Sequence, residues 1–203
     1  MPQYKLIYFN LMGRAEPICM IFAQAGVPYE DYRMKDGEFA TLKPNLKFGQ
    51  VPVLEVDGKQ LCQSLTIARY IAREHGLAGK DPWESAQCDM LVDGAADVQA
   101  NVRVFFMEKD EEKKKEIWHK LETDHFKPFV QLYTKFLADN GSGFLVGNQV
   151  TWADFFVYCL VNFLRLKNPA ILEGSDGMKA YLEKIENLPN IKQWIEKRPK
   201  THM

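Results

Sequence analysis

The sequence predicts an α/β domain followed by an all-helical domain. Up to Gly76, short β-branched or aromatic runs alternate with helical stretches, whereas no period-two alternation persists beyond about Glu84. With 203 residues, of which 46% are hydrophobic and 12% aromatic, the chain has enough apolar material to build a core in each domain. The stretch LAGKDPWES is typical of a linker, so we predict domains at 1–79 and 80–203.

The first domain has the predicted order β-α-β, an irregular segment, then β-β-α. YKLIYF at Tyr4–Phe9 is strand-like, the spacing that follows predicts a helix over 14–25, and a second strand is expected at 29–33. VPVLEV and KQLC flank the pair Asp57-Gly58, which is a strong hairpin signal. Ser64 is expected to cap the helix LTIARYIAREHG.

The second domain has apolar spacing typical of helices throughout. Helices are expected near 84–108, 112–138, 151–166, 176–186 and 191–196. Pro128 is expected to kink the second of these, and the mixed charges at 108–116 indicate a solvated helix face or loop. Thr151 and Asp154 fit a capping box, to which we assign a role in folding and none in catalysis.

Composition excludes several classes of function. The 26 Lys and Arg balance 27 Asp and Glu, so no basic field is available for nucleic acid or an anionic membrane. The four cysteines are widely spaced, and His119 and His125 are six residues apart, so we predict neither a metal site nor a disulfide framework. Without a leader-like N-terminus or a long apolar stretch, the expected location is the cytoplasm.

The β-α-β and β-β-α units together make a thioredoxin-like arrangement, in which chemistry usually occurs where the first strand turns into the first helix. The turn from Tyr8 to Arg14 holds no cysteine, so dithiol exchange is not expected. The Tyr8 hydroxyl can instead donate a hydrogen bond to an anion that develops on a bound thiol. A tyrosine in a strand is otherwise usually a core residue, as we expect for Tyr4 and Phe9.

Two further features belong to the same candidate site. Val51-Pro52 precedes the third strand, where the spacing favours a cis proline that turns the backbone towards a peptide-like ligand; the alternative is an ordinary loop proline. Gln63 and Ser64 lie at a helix start, where free N–H groups suit a carboxylate. The alternative for Ser64 is a plain N-cap.

These features resemble the sigma-class glutathione transferases over essentially the whole chain. The segments that carry the resemblance are MPQYKLIYFN, GRAEP, FGQVPVLEVDGKQLCQSLTIARYIAREHGLAGK, VTWADF and IKQWIEKRPKT. That family includes haematopoietic-type prostaglandin D synthase. The resemblance implies that Tyr8 donates to the glutathione sulfur and that Arg14 supports the tyrosine and the thiolate. The alternative for Arg14 is a surface ion pair with Glu16 or another neighbour.

The resemblance also implies a glutathione site and a homodimer, with glutathione as co-substrate and no other cofactor. The implied site comprises Tyr8, Phe9, Arg14, Phe39, Lys43, Gln50, Val51, Gln63, Ser64 and Asp97. Phe39 stands where the family usually has a tryptophan that donates its indole N–H. Asp97 would reach the γ-glutamyl amine of the neighbouring subunit; the alternative is an ordinary solvated aspartate.

The resemblance places an electrophile pocket beside the sulfur. Its expected lining is Leu11, Met12, Gly13, Val104 and Met107, although such apolar residues at helical spacing are also typical of a core. Val104 replaces a tryptophan, and Ala96 an aspartate, of the prostaglandin D synthases, so we expect general conjugation of xenobiotics or lipid-peroxidation products. The alternatives are a prostaglandin isomerase, a noncatalytic ligand carrier or lens-type relative, and an interaction module without glutathione affinity.

Overall fold

A four-stranded mixed sheet, in the order β2-β1-β3-β4, organises the N-terminal part of the chain. The computed structural model describes residues 2–201. Its strands are β1 (Tyr4–Phe9), β2 (Glu30–Met34), β3 (Val53–Val56) and β4 (Lys59–Cys62). β2 is parallel to β1, and β3 is antiparallel to both β1 and β4. Asp57 and Gly58 have φ of 48° and 79°, which confirms the predicted two-residue hairpin.

Three helices accompany the sheet: α1 (Glu16–Ala25), α2 (Glu38–Leu42) and α3 (Ser64–Glu74). Short 3-10 turns precede α1 at Gly13–Ala15 and follow α2 at Lys43–Asn45. The segment expected to be irregular thus contains α2, a helix of one turn and a half that is too short to show a period. Phe39 and Leu42 of α2 pack on the sheet face that carries Ile7, Met34 and Val53. The β-α-β and β-β-α arrangement is the thioredoxin-like fold that the sequence predicted.

Five helices form the second part: α4 (Pro82–Met107), α5 (Glu111–Leu121), α6 (Lys127–Asn140), α7 (Trp152–Lys167) and α8 (Asp176–Glu186). α7 is buried along most of its length and packs against α4 and α8. α4 begins earlier than expected, because the Asp81 carboxylate accepts the N–H groups of Trp83 and Glu84, both at 2.9 Å. None of the helices within residues 2–201 is both long enough and apolar enough to cross a membrane.

The predicted helix over 112–138 is divided into α5 and α6 by a π-helical turn at Glu122–Phe126. Pro128 lies in the first turn of α6, and because proline has no N–H it interrupts the regular α-helical ladder. The kink expected at Pro128 stays a prediction. The charged run before it is solvated, with exposed ion pairs of 2.7 Å that include Lys115 and Glu112, as predicted.

The capping box at the start of α7 is also confirmed. One oxygen of Asp154 accepts the Thr151 N–H at 2.8 Å, and the other accepts the Leu145 N–H at 2.9 Å. Asp154 is fully buried, and desolvation raises the pKa of its carboxyl to about 6 in spite of these hydrogen bonds. Asp154 therefore joins the loop before α7 to the helix start.

The described chain forms two compact units. The first runs from β1 to Leu77 and also includes the C-terminal segment from Leu188, and the second is Ala78–Asn187. The last helix, α9 (Pro189–Lys197), lies in the first unit, although the sequence placed it with the helical domain at 80–203. The physical reason is its packing against α1: Ile191 is buried, and Asn190 donates to the Gln24 carbonyl at 3.0 Å.

Candidate functional site

Tyr8 lies near the end of β1, and its side chain is only 8% exposed. Its phenol oxygen accepts a hydrogen bond from the backbone N–H of Arg14 at 3.0 Å, and within residues 2–201 its O–H donates to no other group. Burial raises the pKa of Tyr8, while the Arg14 N–H and the Arg14 charge offset part of that increase. Tyr8 is therefore protonated. Its oxygen already accepts the Arg14 N–H, and its O–H can donate to a ligand.

The turn between β1 and α1 holds this hydrogen bond in place. Gly13 has a φ of +40°, and a Cβ at this position would lie 2.7 Å from the Tyr8 hydroxyl and 2.5 Å from a methyl carbon of Leu11. The Glu16 N–H donates to the Met12 carbonyl at 3.0 Å and closes the turn. Both the backbone conformation and the close approach of Tyr8 thus require glycine at position 13.

The carboxylate of Glu16 is bound by the C-terminal segment. Glu16 is 3% exposed, and its Oε1 accepts from Trp194 Nε1 at 2.9 Å and from Arg198 Nη1 at 2.7 Å. Arg14 is exposed and forms no ion pair with Glu16 or any other carboxylate in the described chain, so the alternative of a surface ion pair is wrong. The guanidinium of Arg14 instead contributes a positive charge that offsets part of the increase in the pKa of Tyr8.

The Val51-Pro52 peptide is cis, as the spacing favoured. Val53, the residue after Pro52, pairs with Cys62 in the β3-β4 ladder. The Val51 side chain packs on the core beneath the sheet. Its backbone N–H and C=O bond to no other backbone group within the described part of the chain, so both are available to an extended, peptide-like ligand.

Helix α3 begins at Ser64 itself, so the predicted Ser64 N-cap is wrong. Gln63 is the capping residue, with φ 72° and ψ 116°, and it makes no side-chain capping bond. The first helical hydrogen bond runs from the Ile67 N–H to the Gln63 carbonyl at 2.9 Å, which leaves the N–H groups of Ser64, Leu65 and Thr66 without intrahelical partners. The backbone conformation of Gln63 costs a non-glycine residue on the order of 1–3 kcal/mol of conformational free energy, and such strained residues are typical of functional sites.

Aromatic and basic side chains continue the site towards α2. The ring of Phe9 lies 5.7 Å from that of Tyr8 and 5.2 Å from that of Phe39. Phe9 is 36% exposed, so the expectation that it is a core residue is wrong, because β1 ends there. The aliphatic part of the Lys43 side chain lies 3.4 Å from the point where a Cβ on Gly49 would stand. Gln50, the next residue in the chain, is exposed.

The remaining sequence-predicted residues are distributed over both units. In the first unit, Leu11 and Met12 are half-buried. In the second, Asp97 is exposed on α4, and its carbonyl accepts from the Asn101 side chain at 2.9 Å. Val104 and Met107, on the same helix, are 55% and 65% exposed, so they are not core residues.

Two elements of this geometry were not found by sequence reasoning. The backbone N–H of Arg14 carries no sequence signal, because nearly every residue has one. The contact of Glu16 with Trp194 and Arg198 joins residues 178 and 182 positions apart. The sequence signal for this contact is weak. It consists of an acidic residue at the start of α1 and a basic, aromatic segment, WIEKR, near the C-terminal end of the sequence.

Comparison with known proteins identifies the family. Residues 4–73 match the glutathione S-transferase N-terminal domain, and residues 96–198 match the glutathione S-transferase C-terminal domain. The chain is 44% identical to glutathione S-transferase 1 of Ascaris suum and 41% identical to hematopoietic prostaglandin D synthase of Gallus gallus, in each case over 99% of both chains. It also matches the structure of a monomeric glutathione S-transferase from Necator americanus, with a TM-score of 0.90, 40% identity, and coverage of 99% of this chain and 100% of that one. These matches confirm the sigma-type resemblance, and the chain belongs to the glutathione S-transferase family.

Proposed function

We propose that this protein transfers the thiolate of glutathione to hydrophobic electrophiles. The observation that carries the proposal is the state of Tyr8, whose oxygen accepts the Arg14 N–H at 3.0 Å while its own proton remains free to be donated. A hydroxyl held in this way stabilises an anion beside it without having to reorient during the reaction. The thiol of glutathione is the group whose anion this donor favours.

The chemical step needs no further cofactor. Tyr8 donates to the sulfur, which loses its proton to solvent, and the thiolate attacks an electrophilic carbon to form a sulfur–carbon bond. In aromatic substitution the leaving halide departs with its bonding electrons; in addition to an enone the resulting enolate takes up a proton. The expected substrates are xenobiotics and lipid-peroxidation products, which agrees with detoxification in the cytoplasm.

Glutathione itself is expected to bind along the first unit. The Lys43 ammonium meets the glycyl carboxylate, and the Val51 backbone pairs with the cysteinyl peptide group. The γ-glutamyl carboxylate meets the uncapped start of α3 at Gln63 and Ser64, where three N–H groups lack intrahelical partners. The remaining contacts of the tripeptide are proposed to be Phe9, Phe39 and Gln50.

Calorimetric titration with glutathione tests this binding mode. We expect Lys43→Ala to weaken binding by about tenfold, in keeping with about 1.5–3 kcal/mol for a hydrogen bond to a charged group, reduced by exposure to solvent. The matched control is Lys47→Ala, since Lys47 is an exposed lysine in the same segment. Equal affinities for the two variants would remove Lys43 from the site. Wild-type protein that neither binds glutathione nor conjugates a chloronitrobenzene would favour the ligand-carrier or interaction-module alternatives.

We further propose that the working unit is a homodimer in which Asp97 of one subunit pairs with the γ-glutamyl amine held by its partner. The exposure of Asp97 on α4 supports this role, because an exposed carboxylate can reach a second chain. Sedimentation equilibrium gives the oligomeric state, and Asp97→Asn is expected to weaken glutathione binding several-fold in a dimer. A monomer with unchanged affinity in the variant would leave Asp97 as a solvated helix residue.

The electrophile is proposed to lie against Leu11, Met12 and Gly13 of the first unit. Val104 and Met107 of α4 are proposed as ligand contacts from the family resemblance alone. The half-burial of Leu11 and Met12 and the exposure of Val104 and Met107 support apolar surface available to a ligand. Prostaglandin isomerisation is a second candidate, because a 41% identical relative is a hematopoietic prostaglandin D synthase. Incubation with the prostaglandin endoperoxide and glutathione separates the two, since the isomerase predicts one main product and general conjugation does not.

A further inference from the structure

We propose that the C-terminal segment of this chain positions the catalytic hydroxyl: Trp194 and Arg198 hold Glu16, and Glu16 anchors the turn that presents the Arg14 N–H to Tyr8. The inference rests on the proposed function and adds positioning residues to it. Glu16, Trp194 and Arg198 are not among the residues proposed to contact glutathione or the electrophile.

Glu16 is buried at the start of α1. Its carboxylate is almost completely removed from solvent, and Oε1 accepts both the indole N–H of Trp194 (2.9 Å) and the guanidinium of Arg198 (2.7 Å). Its other oxygen, Oε2, is buried without a hydrogen-bond partner among the described residues. A buried carboxylate is costly without such donors, so these two contacts determine where the start of α1 lies.

A short stretch of backbone connects Glu16 to the Tyr8 hydroxyl. The Glu16 N–H donates to the Met12 carbonyl at 3.0 Å, and the chain between these residues contains Gly13 and Arg14. The Arg14 N–H within this turn is the donor to Tyr8, at 3.0 Å. A shift at Glu16 is therefore transmitted to the Tyr8 oxygen over two residues.

Helix α9 is attached to α1 at both ends. Asn190 donates to the Gln24 carbonyl near the end of α1, and Arg198, directly after α9, binds Glu16 at the beginning of α1. Ile191 is completely buried between these contacts. The terminal helix thus fixes the direction of α1 as well as the position of its first residue.

The test compares Trp194→Phe, Arg198→Ala and Glu16→Gln with the control Lys197→Ala, an exposed position adjacent to Arg198. For each protein, the ultraviolet absorbance of the thiolate is followed against pH with bound glutathione, and kcat and KM are measured with a chloronitrobenzene. We expect a higher midpoint for thiolate formation and a fall in kcat of about threefold at mildly acidic pH, with the glutathione KM changed less than twofold. The Lys197→Ala protein is expected to match wild type.

Folded variants whose thiolate midpoint equals that of wild type would overturn the proposal and leave Glu16 with a structural role only, even if their melting temperatures fall. Trp194→Phe keeps the ring and removes one N–H, and Glu16→Gln keeps the accepting oxygen, so the test does not depend on Arg198→Ala being stable. If wild-type protein forms no thiolate, the proposed function fails. If wild type forms it and only the Tyr8→Phe variant loses it, the proposed function stands and the positioning role fails.

Discussion

Tyr8→Phe removes one oriented donor and leaves the buried ring in place. A hydrogen bond to a charged group is worth about 1.5–3 kcal/mol. One pKa unit corresponds to about 1.36 kcal/mol, so loss of the Tyr8 hydrogen bond raises the pKa of the bound thiol by about one to two units. The less acidic thiol gives a more nucleophilic thiolate, with a Brønsted coefficient of about 0.4–0.5, which offsets part of the loss. We therefore expect conjugation at mildly acidic pH to slow by roughly three- to fifteenfold, and the difference to shrink as pH rises.

The assay is conjugation of a chloronitrobenzene as a function of pH, with thiolate absorbance measured on the same samples. Because burial raises the pKa of Tyr8 above its ordinary value, Tyr8 stays protonated across the neutral range, and the rising limb of the profile reports the thiol. Tyr4→Phe is the matched control, since Tyr4 is a buried tyrosine at the other end of β1. Identical profiles for wild type and Tyr8→Phe would refute the assignment of Tyr8 as the donor.

Three further predictions follow from the same geometry. Gly13→Ala places a methyl group 2.7 Å from the Tyr8 hydroxyl, and should lower kcat and raise the thiol pKa; an unchanged kcat in steady-state kinetics contradicts this. Phe39→Trp restores an indole donor and should tighten glutathione binding by about two- to tenfold in calorimetry, for a hydrogen bond of about 0.5–1.5 kcal/mol, whereas Phe39→Leu should not. Asp154→Asn leaves a buried backbone N–H without an acceptor, and should lower the free energy of unfolding in urea by about 1–3 kcal/mol. Because the folded-state pKa of Asp154 is raised to about 6, the wild-type protein gains stability when Asp154 is protonated. The difference in the free energy of unfolding between wild type and Asp154→Asn should therefore widen from pH 7 to pH 5. A difference that narrows would contradict the assignment.

Elements with strong local signals were predicted from the sequence. β1 and the Asp57-Gly58 hairpin follow from strand propensity and from residues that tolerate positive φ. The capping box of Thr151 and Asp154 is a local pattern of two side chains that satisfy backbone groups three residues apart. In each case the sequence signal lies in residues that are close together along the chain.

The features that were missed depend on distant or backbone contacts. The strained backbone of Gln63 replaces the expected Ser64 cap, since the geometry is imposed by the connection from β4 into α3. The packing of α9 against α1 was not predicted, because the amphipathic pattern of α9 does not specify which surface it covers. The donor to Tyr8 is a backbone N–H, so no residue type at position 14 announces it.

The pairing of Glu16 with Trp194 and Arg198 has a consequence for how the chain folds during synthesis. The first unit consists of two segments that are far apart in the chain. Glu16 is therefore synthesised long before Trp194 and Arg198, which donate to its carboxylate in the folded protein. At about 5–20 residues per second, the ribosome takes roughly 9 to 36 seconds to add the 182 residues that separate Glu16 from Arg198. Throughout that interval the β-α-β segment carries an uncompensated carboxylate at the start of α1. The N-terminal unit is therefore completed last, and we expect nascent chains that end before Trp194 to be protease-sensitive in this unit even after the helices of the second unit have formed.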